Sequence, residues 1–172
     1  MAGASRRKSY RIRPVAPGDR AGLTRFYADL SPDSLEARFH GATPGIGDRT
    51  AGYFCGPDHE HREGLVAVAR SADGPVIVGH VCVEPIVPGE AEMAIAVADA
   101  WQHRGLGRNL LSEAMAWAGQ HGVTELRASI RSSNGAMLGL VRTMGAPVNV
   151  SSGDAGVIDA TIDLRQPLPH AA

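Results

Sequence analysis

From Tyr10 onward the apolar positions alternate between a period of two and a period near 3.6, which predicts strands and helices sharing one layered domain. Tyr10 to Val15 is a short first strand, closed by Pro14 and Pro17. Asp19 can cap a helix from Arg20 to Leu30, with Leu23, Phe26, Tyr27 and Leu30 on one face. Ser31-Pro32-Asp33 starts a second helix with a capping hydroxyl, a proline at the first helical position and an acid near the positive end of the dipole. It carries Leu35 and Phe39 and stops at Gly41; Gly41 to Asp48 reads as loop, because Pro44, Gly45 and Gly47 interrupt any period. Leu65 to Arg70 and Val76 to Ile86 form a hairpin around the Asp73-Gly74 turn. Glu90 to Val97 alternates strictly, with Met93, Ile95 and Val97 on one face and Glu90, Glu92, Ala94 and Ala96 on the other. A helix striped by Leu106, Leu110, Leu111, Ala114 and Ala118 runs to about His121, and Glu125 to Ile130 is the next strand. Asn134 opens a last helix to Met144, ended by Gly145. Val148 to Val150 and Val157 to Leu164 close the sheet as a hairpin across Ser151 to Ala155.

The 172 residues, 44% of them hydrophobic, suit one domain over 9–166, between a basic tail at 1–8 and a C-terminal tail at 167–172. Seventeen basic against eighteen acidic side chains leave a net charge of -1, which argues against a dedicated nucleic-acid binder. No stretch approaches the roughly eighteen apolar residues of a membrane span. Ser5-Arg6-Arg7-Lys8 is followed by Tyr10-Arg11-Ile12-Arg13-Pro14, not by the apolar region of an export signal. Cys55 and Cys82 stand alone in sequence, so reduced thiols and a cytoplasmic location are expected. His59 and His61, in Asp58-His59-Glu60-His61, have no third ligand at a recognisable spacing and read as a polar turn; no metal is expected.

The segment richest in chemistry is Gln102-His103-Arg104-Gly105-Leu106-Gly107-Arg108, between a strand and a long helix. A helix N-terminus carries unsatisfied N–H groups and partial positive charge, so a Gly-rich entry to it suits a phosphate. Gly105 and Gly107 let backbone amides approach, and Arg104 and Arg108 can add charge-assisted contacts. A dinucleotide fingerprint would need a third Gly or Ala where Leu110 stands, and a P-loop would need Gly-Lys-Ser/Thr.

With Val97-Ala98-Asp99-Ala100-Trp101 ahead of this loop and Asn134 to Gly145 after it, the chain resembles the GNAT superfamily of acyl-CoA-dependent N-acetyltransferases. The resemblance covers roughly Tyr10 to Leu164 and implies an α/β fold of the α+β kind: a mixed, mostly antiparallel sheet of six to seven strands with helices on both faces. It also implies acetyl-CoA as cosubstrate. Ile95 and Val97 would pair with the pantetheine arm, Gln102, His103, Arg104, Gly105, Leu106, Gly107 and Arg108 would wrap the pyrophosphate, and Asn134 would touch the pantetheine side. Leu30 to Gly41 and Glu92 to Val97 further resemble the GNAT domains of bacterial protein-lysine acetyltransferases.

An amine of reference pKa about 10.4 is protonated at neutral pH, so transfer to it requires a base. Glu92 is the candidate, because it projects from the strand expected to carry the thioester and matches the position of the glutamate in related lysine acetyltransferases; Glu90 and Glu84 stand in reserve. The family's helix tyrosine, which protonates the departing thiolate, is replaced by Val141. The expected partner is an amine, with a protein lysine leading and a polyamine or aminoglycoside behind it, without nucleic acid or membrane, in a monomer or homodimer. The missing tyrosine keeps a non-catalytic acyl-CoA sensor as the alternative.

Overall fold

The computed structural model describes residues 9–153 and 156–165. The expected tails and two residues of the closing turn lie outside this range. One seven-stranded sheet runs in the order β1-β2-β3-β4-β5-β7-β6. Its strands are β1 (Tyr10–Pro14), β2 (Glu63–Ser71), β3 (Gly74–Val87), β4 (Glu90–Val97), β5 (Glu125–Arg131), β6 (Val148–Ser152) and β7 (Val157–Asp163). Every neighbouring pair is antiparallel except β4 and β5.

Helices cover both faces. On one, α4 (Leu106–Gln120) and α5 (Gly135–Arg142) bury Leu106, Leu110, Leu111, Ala114, Met115 and Val141 against inward residues of the sheet, among them Val81, Met93 and Leu126. On the other, α1 (Arg20–Ala28) and α2 (Pro32–Phe39) bury Leu23, Phe26, Tyr27 and Leu35 against Val66, Ile77 and Ala96. The alternation in β4 is the reason both cores exist: Met93 belongs to the first and Ala96 to the second.

Sequence and structure part at a few boundaries. Asp48–Phe54, which starts at the last residue of the expected loop, forms a further short helix, α3, with Ala51 fully buried. It starts after Gly47 with Asp48 in its first turn, and Asp48 is ion-paired to Arg20. Helix α1 stops at Ala28 rather than Leu30. Helix α2 turns left-handed at His40 (φ 57°), one residue before Gly41, and α5 ends at Arg142. The Asp58 turn forms as expected: its carboxylate accepts the backbone N–H groups of Glu60, His61 and Arg62.

Candidate active site

Strands β4 and β5 pair only over Glu90 to Glu92 and Glu125 to Arg127, then separate. A cleft of about 1180 Å³ opens between them, lined by Met93 to Val97, Ala128 to Arg131, α2 and α5. Ile95 and Val97 are only half-buried, because the strand that would cover them has moved aside. Parallel pairing past this point would remove the cleft, so the splay is what creates the site.

The loop after β4 closes one end. Asp99–Trp101 forms a single 3-10 turn, and His103 (φ 55°) and Gly105 (φ 82°) are both left-handed. Such geometry suits glycine, and at Gly105 it turns the chain into α4. The first backbone bond of α4 runs from the Asn109 N–H to the Gly105 carbonyl. The N–H groups of Leu106, Gly107 and Arg108 therefore have no helical acceptor and form a ready anion cradle. A Cβ on Gly107 would lie 3.4 Å from Leu140 Cδ2 on α5 and 3.8 Å from Val97 Cγ2 on β4.

The structure distributes the expected cofactor residues unevenly. Ile95, Val97, Gln102, His103, Gly105, Gly107, Arg108 and Asn134 line the cleft. Arg104 is exposed and lies off the cleft wall, and the Leu106 side chain is fully buried in the core, leaving only its backbone for a ligand. Arg108 donates to Thr143 Oγ1 at 3.1 Å, and Asn134 Oδ1 accepts from the Met137 N–H at 3.0 Å as the cap of α5. Gln102 Nε2 donates to Val97 O (3.1 Å) and Ser34 Oγ (3.0 Å), so its side chain ties the loop to β4 and α2.

Asp99 extends that tie. Its carboxylate accepts from the Ser31 N–H at 2.9 Å, and from Ser31 Oγ and Ser34 Oγ, both at 2.7 Å. Desolvation opposes ionisation of Asp99, but the bonds from Ser31 and Ser34 outweigh it and the pKa is lowered. The N-terminus of α2 is thereby fastened to the loop that starts α4.

A second, smaller cavity of about 310 Å³ adjoins the cleft and shares Arg38, Phe39, Glu92 and Ala94 with it. Tyr53 and Phe54 of α3 and Cys82 and Glu84 of β3 complete its walls. The three candidate carboxylates differ in engagement. Glu90 pairs with Arg127 at 2.6 Å and lies outside both cavities. Glu84 accepts from Tyr53 OH at 2.9 Å and pairs with Arg62 at 3.6 Å. Glu92 is exposed, lines both cavities, and has no hydrogen-bond or ion-pair partner among the described residues.

Sequence reasoning missed Arg38, Tyr53 and Phe54. Arg38 was detectable, since it falls three residues after the buried Leu35 on the apolar face of α2. Val141 is 1% exposed and faces the core, so α5 presents Met137 and Leu140 to the cleft, and no described residue lining the cleft is a tyrosine. Among the described residues no group of three His, Cys, Asp or Glu side chains is arranged to hold a metal, and no helix is long and apolar enough to cross a membrane.

Comparison with known proteins agrees with this architecture. The GNAT domain of PAT from S. lividans is 28% identical over 90% of each chain, with a TM-score of 0.79. The Salmonella typhimurium protein yncA, solved with its cofactor acetyl-CoA, is 21% identical over 95% of this chain and 99% of its own, with a TM-score of 0.74. A phosphinothricin acetyltransferase from Sinorhizobium meliloti, in complex with AcCoA, is 17% identical over 90% of this chain and 88% of its own, with a TM-score of 0.70. The model of the acetyltransferase (GNAT) family matches residues 23–146, and with most of the sequence, the splayed strands and the glycine loop inside that match, the chain belongs to the GNAT family.

Proposed function

We propose that this protein transfers an acetyl group from acetyl-CoA directly to a primary amine, with a protein lysine as the leading acceptor and Glu92 as the general base. The observation that carries the reading is Glu92 itself: an unengaged carboxylate where the cleft between β4 and β5 meets the smaller side cavity.

The residues divide into two binding regions. The free amides at the start of α4, with Arg108 beside them, suit the pyrophosphate, and the splayed edge of β4 at Ile95 and Val97 offers backbone groups to a pantetheine arm. That arm would bring the thioester beside Ala94 and Glu92. The side cavity would hold the amine, and Glu92 would take its proton directly or through water, leaving a neutral nitrogen to attack the carbonyl. A backbone N–H near Val97 would meet the oxyanion. The thiolate, with a reference pKa of about 8.5, would leave with water as its proton source, since α5 supplies no tyrosine.

The likeness to the GNAT domain of the S. lividans protein acetyltransferase PAT favours a protein acceptor, and the resemblance of Leu30 to Gly41 and Glu92 to Val97 to protein-lysine acetyltransferases favours its lysine. Free Cys55 and Cys82 suit a reducing cytoplasm. The test is release of CoA thiol from acetyl-CoA across a panel of amines, lysine peptides and proteins, with mass spectrometry of the product. Thiol release coupled to a mass gain of one acetyl group supports transfer. Thermal protection by acetyl-CoA without thiol release from any acceptor would instead assign a sensor.

A further inference from the structure

Arg38 poses a problem of charge that its own protein leaves unsolved. Its guanidinium carbon lies 4.8 Å from the centroid of the Phe39 ring and 5.6 Å from that of Phe54. Arg38 Nη2 donates to Cys82 Sγ at 3.4 Å, and the buried Nε has no partner. None of the ion pairs among the described residues includes Arg38. The nearby groups do not neutralise it. Glu84 is held by Arg62 and Tyr53, and Glu36 by Arg131. Burial pushes the Tyr27 pKa up, so its hydroxyl stays protonated, and His80 is held neutral by burial and by Arg38, its pKa lowered to about 3. An arginine cannot shed its proton to escape, and a half-buried cation packed on aromatic rings is stabilised by a counter-ion.

Arg38 lines the main cleft as well as the side cavity, at the end where the two share Glu92 and Ala94. It sits on the α2 face of the sheet, against β3, and the side cavity includes no residue of α4 or of the loop from Gln102 to Arg108. On the transfer reading, that end of the cleft receives the acceptor. We propose, building on the transfer reading above, that Arg38 is a specificity-determining residue that receives a carboxylate carried by the acceptor, close to the amine that Glu92 deprotonates.

The cavity's chemistry matches such a molecule. Glu92 offers a negative group for the amine, Arg38 a positive one for the acid, and Phe39, Tyr53 and Phe54 supply apolar walls for the chain between them. A polyamine or an aminoglycoside, each a polycation, would place further positive charge against Arg38. The carboxylate can come from a free amino-acid-like compound or from an acidic side chain beside a lysine in a protein.

Matched probes decide the matter. For the free compound the pair is 5-aminovalerate and pentylamine; for the protein it is a blocked Lys-Glu peptide and its Lys-Gln counterpart. Each is titrated calorimetrically into the protein saturated with CoA, and each is assayed for thiol release with acetyl-CoA. The carboxylate member of at least one pair should bind and react about tenfold or more better, and whichever pair shows it identifies the source. In Arg38→Gln the ratio within that pair should fall to near one through a rise in KM, and Arg38→Lys should retain part of it. Melting with and without acetyl-CoA checks that each variant is folded; if Arg38→Gln is not, the wild-type ratios and Arg38→Lys decide. Equal binding within both pairs, or a preference that survives in folded Arg38→Gln, overturns the proposal. Thiol release without a carboxylate preference removes Arg38 from this role and leaves acetyl transfer standing. A carboxylate preference in binding without thiol release removes acetyl transfer and leaves Arg38 in place.

Discussion

The two glycines of the loop should respond to substitution in opposite ways. At Gly105 a Cβ would meet nothing within 4 Å, so only the backbone, at φ 82°, resists a side chain. An L-residue in that region costs about 1–2 kcal/mol, partly offset by about 0.4–1 kcal/mol from a stiffer unfolded chain. Gly105→Ala should therefore lose about 1 kcal/mol, a fall in Tm of about 2–4 °C for a chain of this size. At Gly107 one methyl fits in ordinary contact with Leu140 and Val97. Gly107→Ala should keep the fold and gain up to about 1 kcal/mol in helix propensity. Gly107→Val adds two more carbons where α4, α5 and β4 converge, and these must displace Leu140 or enter the cleft. The assay is the rise in Tm on adding acetyl-CoA. At a concentration of about 100 Kd the wild type should gain about 2.7 kcal/mol, or roughly 5–10 °C. Gly107→Ala should keep most of that rise and Gly107→Val should lose it. A full rise in folded Gly107→Val would refute the phosphate-cradle assignment.

Other consequences concern the loop tie and pH. Asp99→Ala removes the acceptor for Ser31 and Ser34 and should lower both Tm and acetyl-CoA affinity, since it loosens α2 and the α4 loop together; Ser34→Ala, which leaves the two Ser31 bonds, should do less. Asp19 has a lowered pKa through its bonds with Arg13, and Asp99 is lowered too, so both contribute stability that is present above the unfolded carboxylate pKa of about 3.9 and is lost as pH falls through their folded values. His80 acts in a higher window. Its folded pKa of about 3 lies below the unfolded value of about 6.5, so between these the unfolded chain binds the extra proton and stability rises with pH. The urea midpoint should fall between pH 7.5 and 5, and His80→Gln, which keeps a polar partner for Tyr27, should flatten that slope.

The parts of the fold readable in the sequence were those where period and punctuation agree. The β4 alternation, the stripe on α4 and the Ser31 cap of α2 each reflect one residue's neighbours along the chain; Ser31 Oγ accepts the Ser34 N–H at 3.3 Å, as the pattern requires. Helix α3 was hidden because it is short, contains Gly52, and draws its stability from its packing on α1, the burial of Ala51 and the Arg20 to Asp48 pair, none of them local in sequence. The glycine-rich entry to α4, the proposed donor side, was visible in the sequence because it is a local loop. The acceptor side was legible only in Glu92 and Glu84, because Arg38, Tyr53, Glu84 and Glu92 meet only where four separate elements, α2, α3, β3 and β4, converge. The Val141 substitution was legible, but its orientation toward the core depends on how α5 packs.

Glu92 is proposed to take the proton from the acceptor amine with its unengaged carboxylate. Turnover of Glu92→Gln, measured by CoA thiol release at saturating acetyl-CoA across pH 6 to 10 with the best acceptor, tests this most directly. The expected kcat is lower by about 10²- to 10⁴-fold near neutral pH, partly recovered as rising pH deprotonates the amine without help, with acetyl-CoA thermal protection preserved. A kcat and pH profile matching the wild type would contradict it.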